Sequence, residues 1–512
     1  MIELDGESLN FEDVLAVSYG NERISLASSS VEKMTVSRRF VETAMSGGQP
    51  VYALNTGVGL LADIALGPSE IEAMQVNLVR SHCCGVGEPL ERPVVRGLMV
   101  IRANVLAKGF SGIRPVIAER ICDLLNCGIT PVIPARGSVG ASGDLAPLAH
   151  MALTLIGEGE AEFEGEVRPS IECLRAVGLE PLKLEAKEGI SLLNGTQAML
   201  SIACLQLHEI DKLFTAAEVA AALTMEALQG TPVPFDPRLH KARPHPGQMH
   251  VAAQMRRLLA DSAIPRTQGQ TRRIQDAYCL RCIPQVHGAA WDALQEAKRA
   301  FEIELNSATD NPLVFDREIL SGGNFHGAPL ALNLDFLGIA LCQIAGISER
   351  RIERLLNPSL NEGLPAFLAA TPGLESGLMI AQVTAAALCA EMRVLASPAS
   401  VGSLPTSGNQ EDFVSMGMTS ALKLMQSVGL ARTILAIELL AAARALDLRE
   451  YSGMTSPVLQ DVIHRFRERV PAWNEDCVLS GPIKKAEKFI ADGMLDSLNF
   501  ADVMSQSNSV QV

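Results

Sequence analysis

Gly137-Ser-Val-Gly-Ala-Ser-Gly-Asp-Leu-Ala-Pro-Leu-Ala-His150 is the stretch on which the reading of this chain turns. Three glycines in its first seven residues give a backbone that bends tightly and lets neighbouring peptide groups touch. At its centre stands Ala141-Ser142-Gly143, followed by Asp144. The amide nitrogen of Gly143 can attack the carbonyl carbon of Ala141, and loss of water from that carbon closes a five-membered ring. Loss of the Ser142 hydroxyl as a second water leaves an exocyclic methylidene, an electrophile made from the chain itself. A glycine-rich turn ahead of an apolar run also serves as a phosphate cradle. The spacing here is G-x-x-G-x-x-G, which is neither the dinucleotide fingerprint nor a P-loop with its lysine. Ala-Ser-Gly is a common tripeptide, so its meaning rests on what else the chain carries.

The chain has 512 residues, 48% apolar but only 4% aromatic, and is rich in Ala and Leu. That balance favours helices packed on one another over sheets, which draw on aromatic and β-branched residues. A net charge of −15 argues against nucleic acid or an anionic membrane as partner. The first residues, Met1-Ile-Glu-Leu-Asp-Gly-Glu7, have neither a basic n-region nor an apolar h-region and so do not read as a signal peptide. A long uncharged run, 189–208, holds Asn194, Gly195, Thr196 and Gln197, which makes it a poor membrane span and a good loop-to-helix junction. Eleven cysteines scattered without a framework predict a reducing, cytoplasmic setting. Cys279 and Cys282 form a CxxC, but without a second ligand pair no metal is expected.

Working outward, residues 1–50 read as short helices and turns ending at Gly47-Gly48. A helical segment over 68–90 breaks at Cys83-Cys84-Gly85-Val86-Gly87, and a helical pair over 93–128 leads to Pro131 and Pro134. After His150 an apolar helix reaches Gly157, and Glu162-Phe-Glu-Gly-Glu-Val167 alternates as a small hairpin, the one clear strand signal. The Ala/Leu-rich run 197–229 predicts a helix stopped by Gly230. Residues 231–273, dense in prolines and charges, predict a long excursion. Farther on, Leu424, Val428, Ala431, Leu435, Leu439, Ala442 and Leu446 recur at spacings of three and four, while Leu430, Ile434 and Ile437 make the other faces apolar too. Such a helix must be buried, in a core or between subunits. With no repeat or composition break, 1–512 reads as a single mainly α unit, a long-helix bundle with a few short hairpins.

Tyrosine is scarce: Tyr19, Tyr52, Tyr278 and Tyr451 are the complete set. Tyr52 opens Tyr52-Ala-Leu-Asn-Thr-Gly-Val-Gly59, and Tyr278 lies in Gln275-Asp-Ala-Tyr-Cys-Leu-Arg-Cys-Ile-Pro-Gln285. A phenol beside a glycine-rich loop suits proton transfer at an activated carbon. These two blocks and the opening stretch are joined by Ser81-His-Cys-Cys-Gly-Val-Gly87, Leu193-Asn-Gly-Thr196, Thr309-Asp-Asn-Pro312, Ser321-Gly-Gly-Asn-Phe-His326 and Asn409-Gln-Glu-Asp412. Over essentially its whole length the chain resembles the histidine and aromatic amino-acid ammonia-lyases.

The resemblance implies a long-helix homotetramer whose active sites are completed by several subunits. It also implies a prosthetic group, 4-methylidene-imidazol-5-one (MIO), formed from Ala141, Ser142 and Gly143, with no metal or nucleotide. The substrate it implies is a small amino acid that loses ammonia and a β-proton. Tyr52 matches the family's base for that proton. Arg281 matches the residue that clamps the substrate carboxylate, a task its planar fork suits. Asn194 and Tyr278 match residues that hydrogen-bond around the prosthetic group, and Gln275 and Phe325 match others lining the pocket. His82 follows Ser81 as in histidine-specific members, and Glu411 matches the carboxylate those members place near the imidazole. A pocket built to satisfy ring nitrogens rejects substrates lacking them. The activity implied is elimination of ammonia from L-histidine to give trans-urocanate, the first step of histidine breakdown. Two positions depart from the histidine pattern: Phe413 stands where a histidine is usual, and Ala53 where a glycine is. A tyrosine ammonia-lyase or tyrosine 2,3-aminomutase of the same family is the alternative.

Overall fold

The computed structural model describes residues 1–46, 51, 52, 54–265, 274–316 and 318–498, and among these eighteen α-helices carry the fold. The nine strands are two to four residues long and pair in sheets of two or three. The mainly α reading holds, and its physical cause is the same Ala/Leu periodicity read from the sequence. The chain forms two compact units, each assembled from separate segments. One comprises Met1–Leu205, Ala297–Asp335 and Pro398–Leu422; the other comprises Gln206–Glu296, Phe336–Ser397 and the chain from Lys423 onward.

In the first unit, the helix Arg92–Ala107 packs between Phe11–Gly20 and Pro115–Cys127. It is buried from Val94 to Ala107, including the polar residues Arg96, Arg102 and Asn104. Helix ends follow local rules. Asn10 and Asp13 form a capping box on Phe11–Gly20, and Pro115–Cys127 stops at Gly128, whose φ of +77° suits a residue without Cβ. A second cluster packs Pro68–His82, Leu145–Leu155 and Glu188–Leu193 against one another. The strands Val86–Pro89 and Pro134–Arg136 pair antiparallel and draw the chain after His82 toward the chain before Ala141. The expected hairpin forms from Glu160–Phe163 and Glu166–Pro169, with Thr130–Pro131 added to its edge.

In the second unit, the residues from Leu424 to Leu446 at the predicted spacing are all buried, within the helix Gly417–Leu448. The carboxylate of Glu438, on that helix, accepts from Arg351 at 2.5 and 2.9 Å, from Ser348 at 2.6 Å and from Thr224 at 2.9 Å. A fully buried carboxylate is tolerated because each of its oxygens is bonded and its charge is matched. Phe466 and Phe489 meet edge to face, with centroids 5.2 Å apart, where Pro457–Arg469 packs on Ser480–Ala491.

Two expectations need correction. Residues 1–46 hold one long helix, Ser28–Ser46, and two paired strands, Ile2–Leu4 and Ile24–Leu26, rather than short helices and turns alone. The excursion 231–273 contains the helices Pro237–Lys241 and Pro246–Leu258. Each starts with proline at its first position, where no N–H is needed, and Val251, Met255 and Leu258 bury the apolar face of the second. Residues 266–273, the turn expected at Gly47-Gly48, and Ala53 lie outside the described residues. Ala328–Leu356 and Gly417–Leu448 are long and apolar enough to cross a bilayer, but most of each apolar window is buried inside protein, as in core helices.

Candidate active site

Three mutually packed helices bring His82, Asn194 and the Gly143-Asp144 pair to one place. Pro68–His82 ends on His82, Glu188–Leu193 ends just before Asn194, and Leu145–Leu155 begins just after Gly143 and Asp144. Their shared packing makes the meeting point a property of the core rather than of loose loops. A cavity of about 710 Å³ opens there, lined by Tyr52, His82, Ser142, Asn194, Phe325 and Glu411 among others, with Ala141 at its wall. Two residues beyond Tyr52, Leu54 is fully buried with Val41 and Val314. The Gly59 amide donates to the Tyr52 phenol oxygen at 3.2 Å and fixes its position.

The tripeptide sits in a clamped turn. Gly140 and Gly143 have φ of +67° and +76°, and a Cβ on Gly143 would collide with the Gly195 carbonyl. Gly143 and Gly195 form a parallel bridge, and the Asp144 amide donates to the Gly195 oxygen at 2.6 Å. From another segment, the Met416 amide donates to Val139 O at 2.8 Å and the Ser415 hydroxyl to Gly140 O at 3.1 Å. Asn194 Nδ2 donates to the Ser142 carbonyl at 3.2 Å, while Asn194 Oδ1 is buried without a partner among the described residues.

Asp144 is fully buried beneath this turn. Its Oδ2 accepts the Ala198 and Met199 amides at 2.9 Å each, and its Oδ1 accepts the Ser138 hydroxyl at 3.0 Å. Burial outweighs those donors and pushes the carboxyl up to about 6.

Glu411 faces the tripeptide. Its Oε1 accepts the Ser142 hydroxyl at 2.8 Å, and its Oε2 accepts the hydroxyls of Thr406 and Ser407 at 2.8 Å each. His82 Nδ1 lies 2.8 Å from the Leu78 carbonyl, which can only accept. The proton is therefore assigned to Nδ1, which donates to that carbonyl. Ser81 turns its hydroxyl to the same carbonyl at 3.1 Å. Phe413, the departure from the histidine pattern, also lines the cavity and stacks on His326 with centroids 6.2 Å apart. His326 Nε2 and the Phe413 carbonyl are 3.1 Å apart.

Gln275, Tyr278 and Arg281 are not among the residues lining this cavity; they belong to the other unit. Gln275 and Arg281 line a cavity of about 390 Å³ there, and Tyr278 is 70% exposed with the Arg281 guanidinium 4.5 Å from its ring centre. Arg281 Nε and Gln285 Oε1 are buried without a partner among the described residues. Sequence reasoning missed the hydroxyls that orient Glu411 and the role of Asp144. The signals were close by, Thr406 and Ser407 just before the Asn409-Gln-Glu-Asp412 block and Asp144 inside the opening stretch.

A helical fold with a clamped Ala-Ser-Gly turn beside a phenol, an amide and a carboxylate points to a class, and the comparisons agree on which one. The chain belongs to the aromatic amino acid lyase family, whose model matches residues 9–468, and by that membership it is an enzyme of the lyase class. It is 50% identical to the histidine ammonia-lyase of Koribacter versatilis, over 96% of this chain and 98% of that one. Among solved structures it is similar to the histidine ammonia-lyase of Trypanosoma cruzi, with a TM-score of 0.90 and 39% identity over 97% of this chain and 94% of that one. It is also similar to the tyrosine aminomutase of Streptomyces globisporus, with a TM-score of 0.93 and 38% identity over 100% of this chain and 99% of that one.

Proposed function

We propose that this enzyme is a carbon–nitrogen lyase that eliminates ammonia from L-histidine to give trans-urocanate. The observation that carries the reading is the convergence of Ser142, Glu411 and His82 on one cavity, with Ser142 Oγ 2.8 Å from Glu411 Oε1. A carboxylate that accepts from an imidazole N–H suits that ring, and the curated histidine ammonia-lyases at 47–50% identity support that choice.

The tripeptide environment fits the MIO group. Gly143 has no room for a side chain, and the Ser142 carbonyl that Asn194 Nδ2 holds is one the closed ring keeps. In place, the group supplies an electrophilic carbon at position 142 that makes the substrate's ammonia easier to lose. Asn194 holds the Ser142 carbonyl through Nδ2, and Tyr52, its phenol fixed by Gly59, takes the β-proton. His82 Nε2 and Glu411 orient the imidazole, and Phe325 walls the pocket. Gln275, Tyr278 and Arg281 complete the site from another subunit of a homotetramer, with Arg281 clamping the substrate carboxylate. The setting is cytoplasmic, in keeping with eleven free thiols.

The test is to incubate the purified protein with L-histidine and, separately, L-tyrosine, following ultraviolet absorbance of the conjugated acrylate. Urocanate from histidine alone is the expected result. The second reading, a tyrosine lyase or 2,3-aminomutase, draws on Phe413 at the cavity wall; coumarate or β-tyrosine as product would replace the histidine assignment with it.

A further inference from the structure

Arg102 is 0% exposed, on the buried helix Arg92–Ala107. Among the described residues, its hydrogen bonds leave from one nitrogen and go to one turn: Nη1 donates to the Asn194 carbonyl at 2.9 Å and to Gln197 Oε1 at 3.0 Å. Nε and Nη2 are buried without a partner among the described residues. Gln197 in turn donates through Nε2 to Thr309 Oγ1 at 2.7 Å. In the neighbouring residue, Asp310, one oxygen lies 3.5 Å from the fully buried Lys187 ammonium and the other accepts the Asn311 amide at 2.7 Å. Asn311 lines the cavity.

A guanidinium so placed is an expensive way to fill space. Burying a cation with most of its donors unmet is unfavourable, and a methionine would fill the volume without that penalty. Burial drives Arg102 down to about 10 despite the opposing pull of Asp310. Its bonds land on both sides of Gly195, where an added Cβ would meet Arg102 Nη1 at 2.6 Å. Gly195 abuts Gly143, and Asn194 holds the Ser142 carbonyl. We propose that Arg102 is a positioning residue for the reactive turn, acting through Asn194: it pins the 194–197 turn so that Asn194 Nδ2 stays on the Ser142 carbonyl.

The inference rests on the lyase reading for its activity readout, so the parent enzyme is measured first. A parent whose Ser142 peptide keeps both waters refutes the lyase reading itself and, with no electrophile to position, this inference too. With a converted, active parent, Arg102→Met and Arg102→Lys are made alone and in an Asn194→Ala background. The mass of the Ser142 peptide, the thermal midpoint, and kcat per converted site and KM for L-histidine are recorded. The expected result is a fall in kcat per converted site of about 100-fold in Arg102→Met with KM within about threefold, and partial recovery in Arg102→Lys. In the Asn194→Ala background the same change costs less than about twofold, because the two residues act as one unit. Unchanged kcat per converted site overturns the proposal, even if the thermal midpoint falls. So does an equal loss in both backgrounds. If Arg102→Met does not fold, Arg102→Lys, whose single ammonium cannot serve both Asn194 O and Gln197 Oε1, carries the same cycle.

Discussion

Glu411 holds three hydroxyls, and they are ties of two kinds. Thr406 and Ser407 fasten one oxygen to the carboxylate's own loop, while Ser142 Oγ reaches the other from 269 residues away in sequence. Conversion of Ser142 would remove the second kind and leave Oε1 free for a substrate, its loop ties intact. Glu411→Gln keeps the shape but replaces one acceptor oxygen with a donor and removes the charge. Histidine turnover is expected to fall at least about 100-fold, while any tyrosine turnover falls far less. Equal losses on the two substrates would remove the imidazole argument. Ser142→Ala, which cannot form the methylidene, should lower turnover at least about 1,000-fold with the helical circular dichroism unchanged. Full residual activity would refute the electrophile. At this scale motif alone singled out Ser142, His82 and Glu411, and the structure brings all three to one cavity. Motif did not single out Arg102: in Arg92-Pro-Val-Val-Arg-Gly-Leu-Met-Val-Ile-Arg102 nothing local separates it from Arg96, and only the bonds to Asn194 and Gln197 do so.

Helices explain why Asp144 is worth burying. The long helix Gln197–Ala227 begins with amide groups that no residue of its own can satisfy, and Asp144 accepts those of Ala198 and Met199. The carboxylate thus caps a helix 54 residues away and fixes the tripeptide that precedes it. Asp144→Ala should cost about 1–3 kcal/mol for each amide left without an acceptor, read from a denaturant midpoint. Asp144→Asn keeps the acceptor and tests the charge. With the folded carboxyl at about 6 and its ordinary value at 3.8, the native state holds more protons than the unfolded chain between those pH values. The Asp144 contribution therefore falls as pH rises through that window, by about 3 kcal/mol in all, and is level above it. Unfolding midpoints at pH 4 and pH 7 should show the parent losing about that much more than Asp144→Asn. Equal changes would mean that the helix terminus, not burial, governs the carboxyl. Helices were the most legible elements, since period and proline marked them. The pieces inside 231–273 escaped because prolines that start helices read, without coordinates, like prolines that prevent them.

At the scale of the whole molecule, the residues proposed for one reaction fall in different units. The first unit holds Tyr52, His82, Ser142, Asn194, Phe325 and Glu411, and the second holds Gln275, Tyr278 and Arg281. Sequence order could name both sets by motif but could not say which would share a wall, because motif order carries no distance. The homotetramer proposal makes a direct prediction. Ser142→Ala and Arg281→Met proteins, each inactive alone, should regain part of the parent activity when unfolded together and refolded as a mixture. A site containing residues of two chains can then pair an intact Ser142 with an intact Arg281. No recovery, with light scattering showing mixed tetramers, would mean that each site is built within one chain.

The grip on the tripeptide also has a consequence in time. Asn194 lies 52 residues beyond Ser142 and Glu411 lies 269 beyond, and both touch it only after the chain between has been synthesised and packed. If ring closure depends on those contacts, Ser142 keeps its water in a nascent or misfolded chain, and a molecule that has lost it does not regain it by unfolding. The mass of one peptide therefore becomes a permanent tally of how many molecules in a preparation have ever reached the native state, including those that have since aggregated.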